Sequence, residues 1–361
     1  MEKRIKKTYI CKDINDYVID KNVSHDYKPA AGDVGIFEII KLGKHKNVQS
    51  DTRRNMTIIP GDWMMAAFGN RYATAQFEGY VPENLGKELH IIGAGGIIGC
   101  VKSMHYDFID IGPTIVNFIG FAKDKTGNIL NTKIEKQNSL SKFTGYAASE
   151  TKVILSIGSS MDSGKTTSAS YLVNGLKRAG HKVAFIKLTG TAYTKDIDLN
   201  ADLGADVIAD FSDFGFPSTY LCDEAELLNL YESLLQNVNA YKPDYTVIEI
   251  ADGIYQRETM MLIHNLEFTK TVHAILFSAG DSLSATFGIN TLNAWGLKPF
   301  ALSGLFTASP LLIEEVKNHL LLPVPVVTID ELAENATKLL EKNAAKLLNK
   351  KLSIFRAVAA F

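Results

Sequence analysis

Two regimes of hydrophobic patterning divide the chain. From Asp33, short apolar runs (Val34 to Leu42, Met56 to Ile59, Trp63 to Phe68, Leu89 to Ile92) are separated by turn signals such as Pro60-Gly61-Asp62. Val101 to Ser103, Ile115 to Phe121 and Ile129 to Lys133 extend the series. No helical period intervenes, so this half predicts a small β-rich barrel or sandwich. The mixed, polar residues before it, 1 to about 30, predict no element.

Beyond residue 150 the pattern changes. Val153 to Ile157, Val183 to Leu188, Tyr245 to Ala251, Val272 to Ser278, Phe300 to Phe306 and Val324 to Ile329 read as strands. Helical faces lie between them: Ala169, Leu172, Val173 and Leu176; then Leu227, Leu230, Tyr231, Leu234 and Val238; then segments around 257–265, 283–294 and 310–320. This alternation predicts an α/β, doubly wound and mostly parallel sheet with right-handed crossovers and helices on both faces. Ligands of such sheets gather at the carboxyl ends of the strands. The loops after Ile157, Leu188, Ala251, Ser278 and Phe306 are therefore expected around one crevice. Asp124 to Glu150 has no clear period; Lys125-Thr-Gly-Asn128 reads as a hairpin turn and the rest as a linker. Two domains are expected, a β-rich one over 1–145 and an α/β one over 150–361. The tail from Asp330 to Phe361 carries Leu332, Ala336, Leu339, Leu340, Leu347 and Leu348 among lysines. It predicts one or two helices packed on the second domain, with a dimer contact as the alternative.

Chemistry concentrates where the first strand of the second half turns into its helix. Gly158, Ser159, Ser160, Met161, Asp162, Ser163 and Gly164 form a loop of small and polar residues, and Lys165, Thr166 and Thr167 open the helix. Strand, glycine loop, Gly-Lys-Thr and helix together make a phosphate-binding loop. Loop amides and the helix N-terminus cradle phosphate oxygens. Lys165 reaches the β- and γ-phosphates, and the Thr166 hydroxyl binds Mg²⁺. The spacing departs from the common form: Ser159 stands at the usual first glycine position and the glycine, Gly158, comes one residue earlier.

Other signals are weaker. Gly93-Ala94-Gly95-Gly96-Ile97-Ile98-Gly99 fails as a dinucleotide fingerprint, because Ile98 occupies the third glycine position and no βαβ unit follows. It reads as a tight β corner. Gly69-Asn70-Arg71-Tyr72 and Gln76-Phe77-Glu78 make a polar and aromatic cluster. A substrate or partner surface and an ordinary hairpin turn are both open there. Among 361 residues, 38 Lys+Arg against 40 Asp+Glu leave a net charge of −2, so no basic field points to nucleic acid. The longest apolar run, Ile91 to Val101, is too short to span a bilayer. No apolar h-region follows the charged N-terminus, so no signal peptide is expected. Cys11, Cys100 and Cys222 are scattered and fit inert thiols in a reducing cytoplasm. Among the eight histidines no pair has metal-ligand spacing, which argues against a zinc or nickel site.

The segment Gly158 to Thr166 resembles the loop of dethiobiotin synthetase and its relatives in the dimer-forming SIMIBI class of P-loop NTPases, which share the longer glycine spacing. Asp162 falls where dethiobiotin synthetase carries an acidic residue, and Ser160 replaces the extra loop lysine of the MinD-type members. The resemblance covers roughly 151–330. Dethiobiotin synthetase and the MobB-type GTP-binding adaptor of molybdenum-cofactor biosynthesis both end the second strand with a lysine, here Lys187. Such a lysine binds a substrate carboxylate or a nucleotide phosphate as a point charge, unless it is an ordinary solvated one. Asp196, Asp198 and Asp202-Leu203-Gly204-Ala205 are similar to the MobB-type pattern of an acidic residue before Ala-Gly-Ala. In the wider family an aspartate of this loop completes the Mg²⁺ shell, a role the resemblance gives to Asp196. Tyr245 to Gly253 takes the Walker B position, and Glu249 matches the family's glutamate. A carboxylate inside an apolar strand needs a partner, and Mg²⁺ is a natural one. Asp252, three residues on, is the alternative ligand, because Ala-Asp-Gly replaces the family's glycine run.

The resemblance implies a cytoplasmic, Mg²⁺-dependent nucleoside triphosphatase or phosphoryl-transfer enzyme, homodimeric, with Lys165 and Lys187 catalytic. ATP is mildly preferred and GTP left open, since no Asn-Lys-x-Asp guanine motif occurs. Its partner is nucleotide together with an unidentified small-molecule substrate or partner protein; neither nucleic acid nor membrane is expected. Three classes stay open: ATP-dependent activation of a small carboxylate as in dethiobiotin synthetase, a MobB-type adaptor with little turnover, and a regulatory or metal-insertion GTPase. The lack of His/Cys clusters argues against metal insertion.

Overall fold

In the computed structural model of the chain, residues 4–24, 26–137 and 139–342 are described. They gather into two compact units. The first takes Met1–Phe143, Leu188–Asp196 and Asp210–Leu234; the second takes Thr144–Lys187, Ile197–Ala209 and the chain from Leu235.

The first unit holds β1 (Ile5–Lys7), β2 (Val18–Asp20), β3 (Val34–Lys41), β4 (Asn47–Gln49), β5 (Asn55–Thr57), β6 (Trp63–Phe68), β7 (Arg71–Tyr72), β8 (Phe77–Tyr80), β9 (Leu89–Gly93), β10 (Ile97–Met104), β11 (Thr114–Lys123) and α1 (Thr132–Gln137). Five of these strands close on themselves. β6 pairs antiparallel with β3, β3 with β11, β11 with β9 and β9 with β10, and β10 returns to β6 in parallel. β1 lies parallel to Trp63–Met65 while β10 takes Ala67 and Phe68, so one edge of β6 is shared. Closure leaves these central strands without a bare edge. Alternation decides what faces inward. Phe37 and Ile39, then Met64, Ala66 and Phe68, then Leu89 and Ile91, enter one core with Ile98, Val116 and Phe121. Phe118 and Phe121 meet edge to face at 4.8 Å.

The glycine run is a β corner: β9 turns into β10 through Ala94-Gly95-Gly96, with Gly96 at φ +97° and its N–H donating to Gly93 O at 3.1 Å. The turn at Lys125 to Asn128 forms under the Asp124 carboxylate, which accepts from the amides of Thr126 and Asn128. The strand expected at Ile129 to Lys133 is only two isolated bridges, at Ile129 and Asn131. Asn131 ends it, because its side chain accepts from the Lys133 and Ile134 amides and starts α1 as an N-cap.

The second unit is a mixed α/β fold built on a largely parallel sheet. Its strands are β12 (Lys152–Gly158), β13 (Val183–Lys187), β14 (Val207–Asp210), β15 (Tyr245–Glu249), β16 (Ala274–Ser278) and β17 (Ala301–Ser303), in the order β14-β13-β15-β12-β16-β17. β12 is flanked in parallel by β15 and β16, with β13 beyond β15 and β17 beyond β16. The helices of this half of the chain are α2 (Lys165–Arg178), α3 (Lys195–Asp202), α4 (Glu224–Asn239), α5 (Arg257–His264), α6 (Leu266–Lys270), α7 (Ser282–Ala294) and α8 (Pro310–His319), and 329–342 is also helical; Lys195 and Asp196 of α3 and Glu224–Leu234 of α4 fall in the first unit. The apolar face of α2 (Ala169, Leu172, Val173, Leu176) packs with Ile154, Phe185, Val247 and Leu276 of the strands and with Leu332, Ala336 and Leu340. At Gly175 a Cβ would meet Leu332 O at 2.5 Å, so only glycine admits the 329–342 segment this close.

Three sequence readings change here. The expected strand Val324 to Ile329 reduces to one bridge, Leu302 to Val326, because Pro323 and Pro325 have no N–H to donate to a ladder. β17 stops at Ser303 because Gly304 takes φ +115° and a 3₁₀ turn follows at Leu305–Ala308. β14 has no counterpart in the sequence reading. Leu347 and Leu348 lie outside the described residues.

Candidate functional site

The phosphate loop runs from the end of β12 to the start of α2. Asp162 at φ +57° and Gly164 at φ +87° turn the backbone left-handed twice within three residues, which bends the chain into a concave wrap. Aspartate tolerates that conformation better than most residues, so Asp162 has a backbone role whatever else it does.

Neighbouring loops clamp the wrap through main-chain bonds. Ser159 N donates to Ser278 O at 2.8 Å, Ile254 N to Gly158 O at 2.9 Å and Leu305 N to Ser163 O at 3.1 Å. These come from the carboxyl ends of β15, β16 and β17. The approach is close enough to require glycine. A Cβ on Gly158 would meet Ser163 Oγ at 2.4 Å and the Lys165 side chain at 2.5 Å; one on Gly253 would meet Ser159 O at 2.5 Å.

Within this clamp, the backbone amides of Ser160, Met161, Asp162, Ser163 and Gly164 have no acceptor among the described residues. α2 begins without a side-chain cap. The Ser159 and Ser163 hydroxyls, and those of Ser278 and Ser303 at the ends of β16 and β17, are buried without hydrogen-bond partners. A run of amides and hydroxyls facing no acceptor is what an oxyanion supplies with one. Lys165 is buried, and its Nζ crosses the loop to Ser160 O at 2.6 Å.

A second cluster adjoins α2. Glu249, 1% exposed, stands at the end of β15, where the register sets it beside Lys187 of β13 and Ser156 of β12. Its Oε1 accepts from Lys187 Nζ at 2.5 Å and from Thr166 Oγ1 at 3.1 Å. Its Oε2 is buried without a partner. The strand-end lysine is therefore not solvated; it is 8% exposed and ion-paired. No group of three or more His, Cys, Asp or Glu able to hold a metal occurs among the described residues. The fit to Mg²⁺ is a shared one: the Thr166 hydroxyl, the open Glu249 oxygen and phosphate oxygens would complete a hard, oxygen-only shell.

The structure thus brings Lys165, Thr166, Lys187 and Glu249 to one place with the loop Gly158–Gly164, and Thr167 sits exposed on the next residue of α2. Asp252 lies three residues beyond Glu249, half-buried in the loop after β15. Asp196 is the second residue of α3 and belongs to the first unit, whereas Thr166 and Glu249 belong to the second. Ser278 and Ser303 were missed from sequence because a lone serine at a strand end carries no motif; only the position at a carboxyl end could have flagged them.

No family model matches the chain, and no curated protein matches it. Several solved structures align with part of it. The signal recognition particle receptor FtsY from Elizabethkingia anophelis in complex with GDP is 13% identical over 58% of this chain and 63% of that one, with a TM-score of 0.33. The hydrogenase maturation factor HypB from Archaeoglobus fulgidus is 10% identical over 58% of this chain and 97% of that one, with a TM-score of 0.35. A DUF1611 family protein from Anabaena variabilis is 15% identical over 56% of this chain and 60% of that one, with a TM-score of 0.36. FtsY and HypB are P-loop proteins of the SIMIBI class. At these scores the likeness carries no argument about activity, and the site rests on its own geometry. Among the described residues no helix is long and apolar enough to cross a membrane.

Proposed function

We propose that the protein is a Mg²⁺-dependent P-loop nucleoside triphosphatase or phosphoryl-transfer enzyme that binds nucleotide at Gly158–Thr167. The observation that carries this reading is the clamped loop with five consecutive amides lacking acceptors, directly before a buried Lys-Thr pair. The loop amides and the start of α2 hold the phosphate chain. Lys165 leaves Ser160 O to neutralise charge on the transferring group, which is where such sites do most of their work. Thr166 and Glu249 would hold Mg²⁺, which would supply positive charge against the charge that develops on the phosphate chain. Lys187 orients the Glu249 carboxylate inside an apolar strand, and its ammonium is a point charge for an acidic substrate. ATP is the favoured nucleotide and GTP the alternative. A carboxylate-activating reaction like that of dethiobiotin synthetase fits Lys187 best.

We extend the proposal to a homodimer. Leu283 and Phe287 lie one turn apart on α7, 75% and 58% exposed, and Leu305 beside the loop is 61% exposed. Apolar side chains this exposed suit burial against a second copy.

The test is turnover. ADP or GDP release is followed with a panel of small carboxylic acids, for the full chain and for Lys165→Ala. An enzyme shows substrate-stimulated release that Lys165→Ala abolishes. Tight nucleotide binding with negligible release under every acid would instead place the protein with MobB-type adaptors.

A further inference from the structure

In the first unit, three strands and one loop bring tyrosines around a single carboxylate. Register sets Tyr72 of β7 and Ser103 of β10 opposite Glu78 of β8, and Tyr80 follows two residues on along the same face. The pairing of β8 with β10 skips a residue between Val101 and Ser103, so Lys102 is the extra residue of a β-bulge. A bulge re-aims the side chain it carries. Lys102 Nζ reaches Glu78 Oε1 at 3.2 Å and lies 5.4 Å over the Tyr80 ring. Tyr220, beyond the 3₁₀ turn at Phe211–Phe214 and in the same unit, joins the group. Its ring is 5.4 Å from that of Tyr72 and 6.0 Å from that of Tyr80, and its hydroxyl is 3.2 Å from the Tyr80 hydroxyl.

Glu78 is held charged and in place. Tyr80 Oη donates to its Oε1 at 2.5 Å and Ser103 Oγ to its Oε2 at 2.7 Å. These hydrogen bonds, helped by Lys102, bring the carboxyl down to about 2. The Tyr80 phenol, donating to Glu78 and facing Tyr220, is pushed well above its usual range and stays neutral. A fixed carboxylate therefore stands beside neutral tyrosine rings, whose faces attract cations. The cation already there is loosely held. The Lys102 side chain is 67% exposed, and an ion pair that open contributes little. A primary ammonium is also strongly hydrated. An ammonium carrying alkyl groups sheds less water to meet the same carboxylate, and its methyl or methylene groups pack on the rings.

We propose that Glu78, with Tyr80, Tyr220 and Tyr72, binds a small organic ammonium ion, and that Lys102 is the internal occupant it displaces. The ligand nitrogen takes the position of Lys102 Nζ, against the Glu78 carboxylate and over the Tyr80 ring. Its alkyl groups lie on the tyrosine rings. Lys102 turns out to water, which its long stem and its place on the bulge allow. All these residues belong to one unit, and the inference does not rest on the nucleotide site.

The experiment measures thermal midpoints of the full chain in choline chloride, ethylammonium chloride or sodium chloride at matched ionic strength. Choline, ethylammonium or both raise the midpoint over sodium in a saturable way, and the stronger of the two identifies a quaternary or a primary amine as the group recognised. Lys102→Ala, which removes the internal competitor, tightens the apparent affinity by about threefold or more; a plain surface ion pair gives no such gain. Glu78→Gln and, separately, Tyr220→Leu weaken it by about tenfold or more. Each variant is read against its own midpoint in sodium, so a change in fold stability alone does not count. A response present in Lys102→Ala and too weak to see in the unaltered chain supports the proposal. No saturable rise with either cation in Lys102→Ala, an affinity that this variant leaves unchanged or weakens, or equal affinities with and without the Glu78 carboxylate would overturn it.

Discussion

The two units bury positive charge in opposite ways. In the second, Lys187 is matched by Glu249 at 2.5 Å, and the pair sits on adjacent parallel strands whose register fixes it. In the first, Lys44 and Arg71 share a neutral oxygen, and burial together with Arg71 lowers Lys44 to about 8. A buried ion pair completed within the fold is a structural element with one lone oxygen left for a ligand. The contrast separates a lysine held by a carboxylate on the next strand from two cationic side chains that meet on a neutral amide oxygen.

Breaking the matched pair gives the largest effect. Lys187→Met strands the Glu249 carboxylate in an apolar strand and costs about 3–5 kcal/mol in chemical denaturation. The double variant Lys187→Met/Glu249→Gln recovers most of that loss, because a neutral amide needs no counter-charge. Next in size is the pH response of His45. His45 has its folded pKa at about 3, below the ordinary value of 6.5. Its contribution is therefore complete above pH 6.5 and is lost as pH falls toward 3. Stability should fall by about 1.4 kcal/mol per pH unit below pH 6, and His45→Leu should remove that slope. The comparison must be between variants, because burial and Asp213 raise Asp210 to about 6 in the same unit and oppose the trend. Gly164→Ala comes third: with φ +87° and a Cβ 2.8 Å from Leu305 N, it should cost about 1–3 kcal/mol and weaken nucleotide binding. The smallest change is Lys102→Ala. Its ion pair with Glu78 at 3.2 Å involves a side chain 67% exposed, and stability should move by no more than about 1 kcal/mol.

Much of the second unit was legible in the sequence because its signals are local. The run Val153 to Ile157 is a buried strand, the segments of α2, α5, α7 and α8 are helical, and Gly158 to Thr166 carries its motif in consecutive residues. Lys187 and Glu249 were both readable as candidates, but their pairing was not. It depends on β13 and β15 being neighbours, which is a long-range fact. The closed ring of the first unit was out of reach for the same reason, since the parallel return of β10 to β6 leaves no local trace. The cluster at Arg71 and Gln76 was visible as composition. Lys44, 27 residues earlier, was not connected to it, because only the fold brings the two together.

The central claim is that a nucleoside triphosphate is held at Gly158–Thr167. Calorimetric titration of MgATP and MgGTP into the full chain and into Lys165→Ala tests it most directly. The account predicts saturable binding of at least one nucleotide, dependent on Mg²⁺, and at least a hundredfold weaker in Lys165→Ala at unchanged thermal midpoint. Equal affinity in the two chains, or no binding of either nucleotide to the unaltered chain, would contradict it.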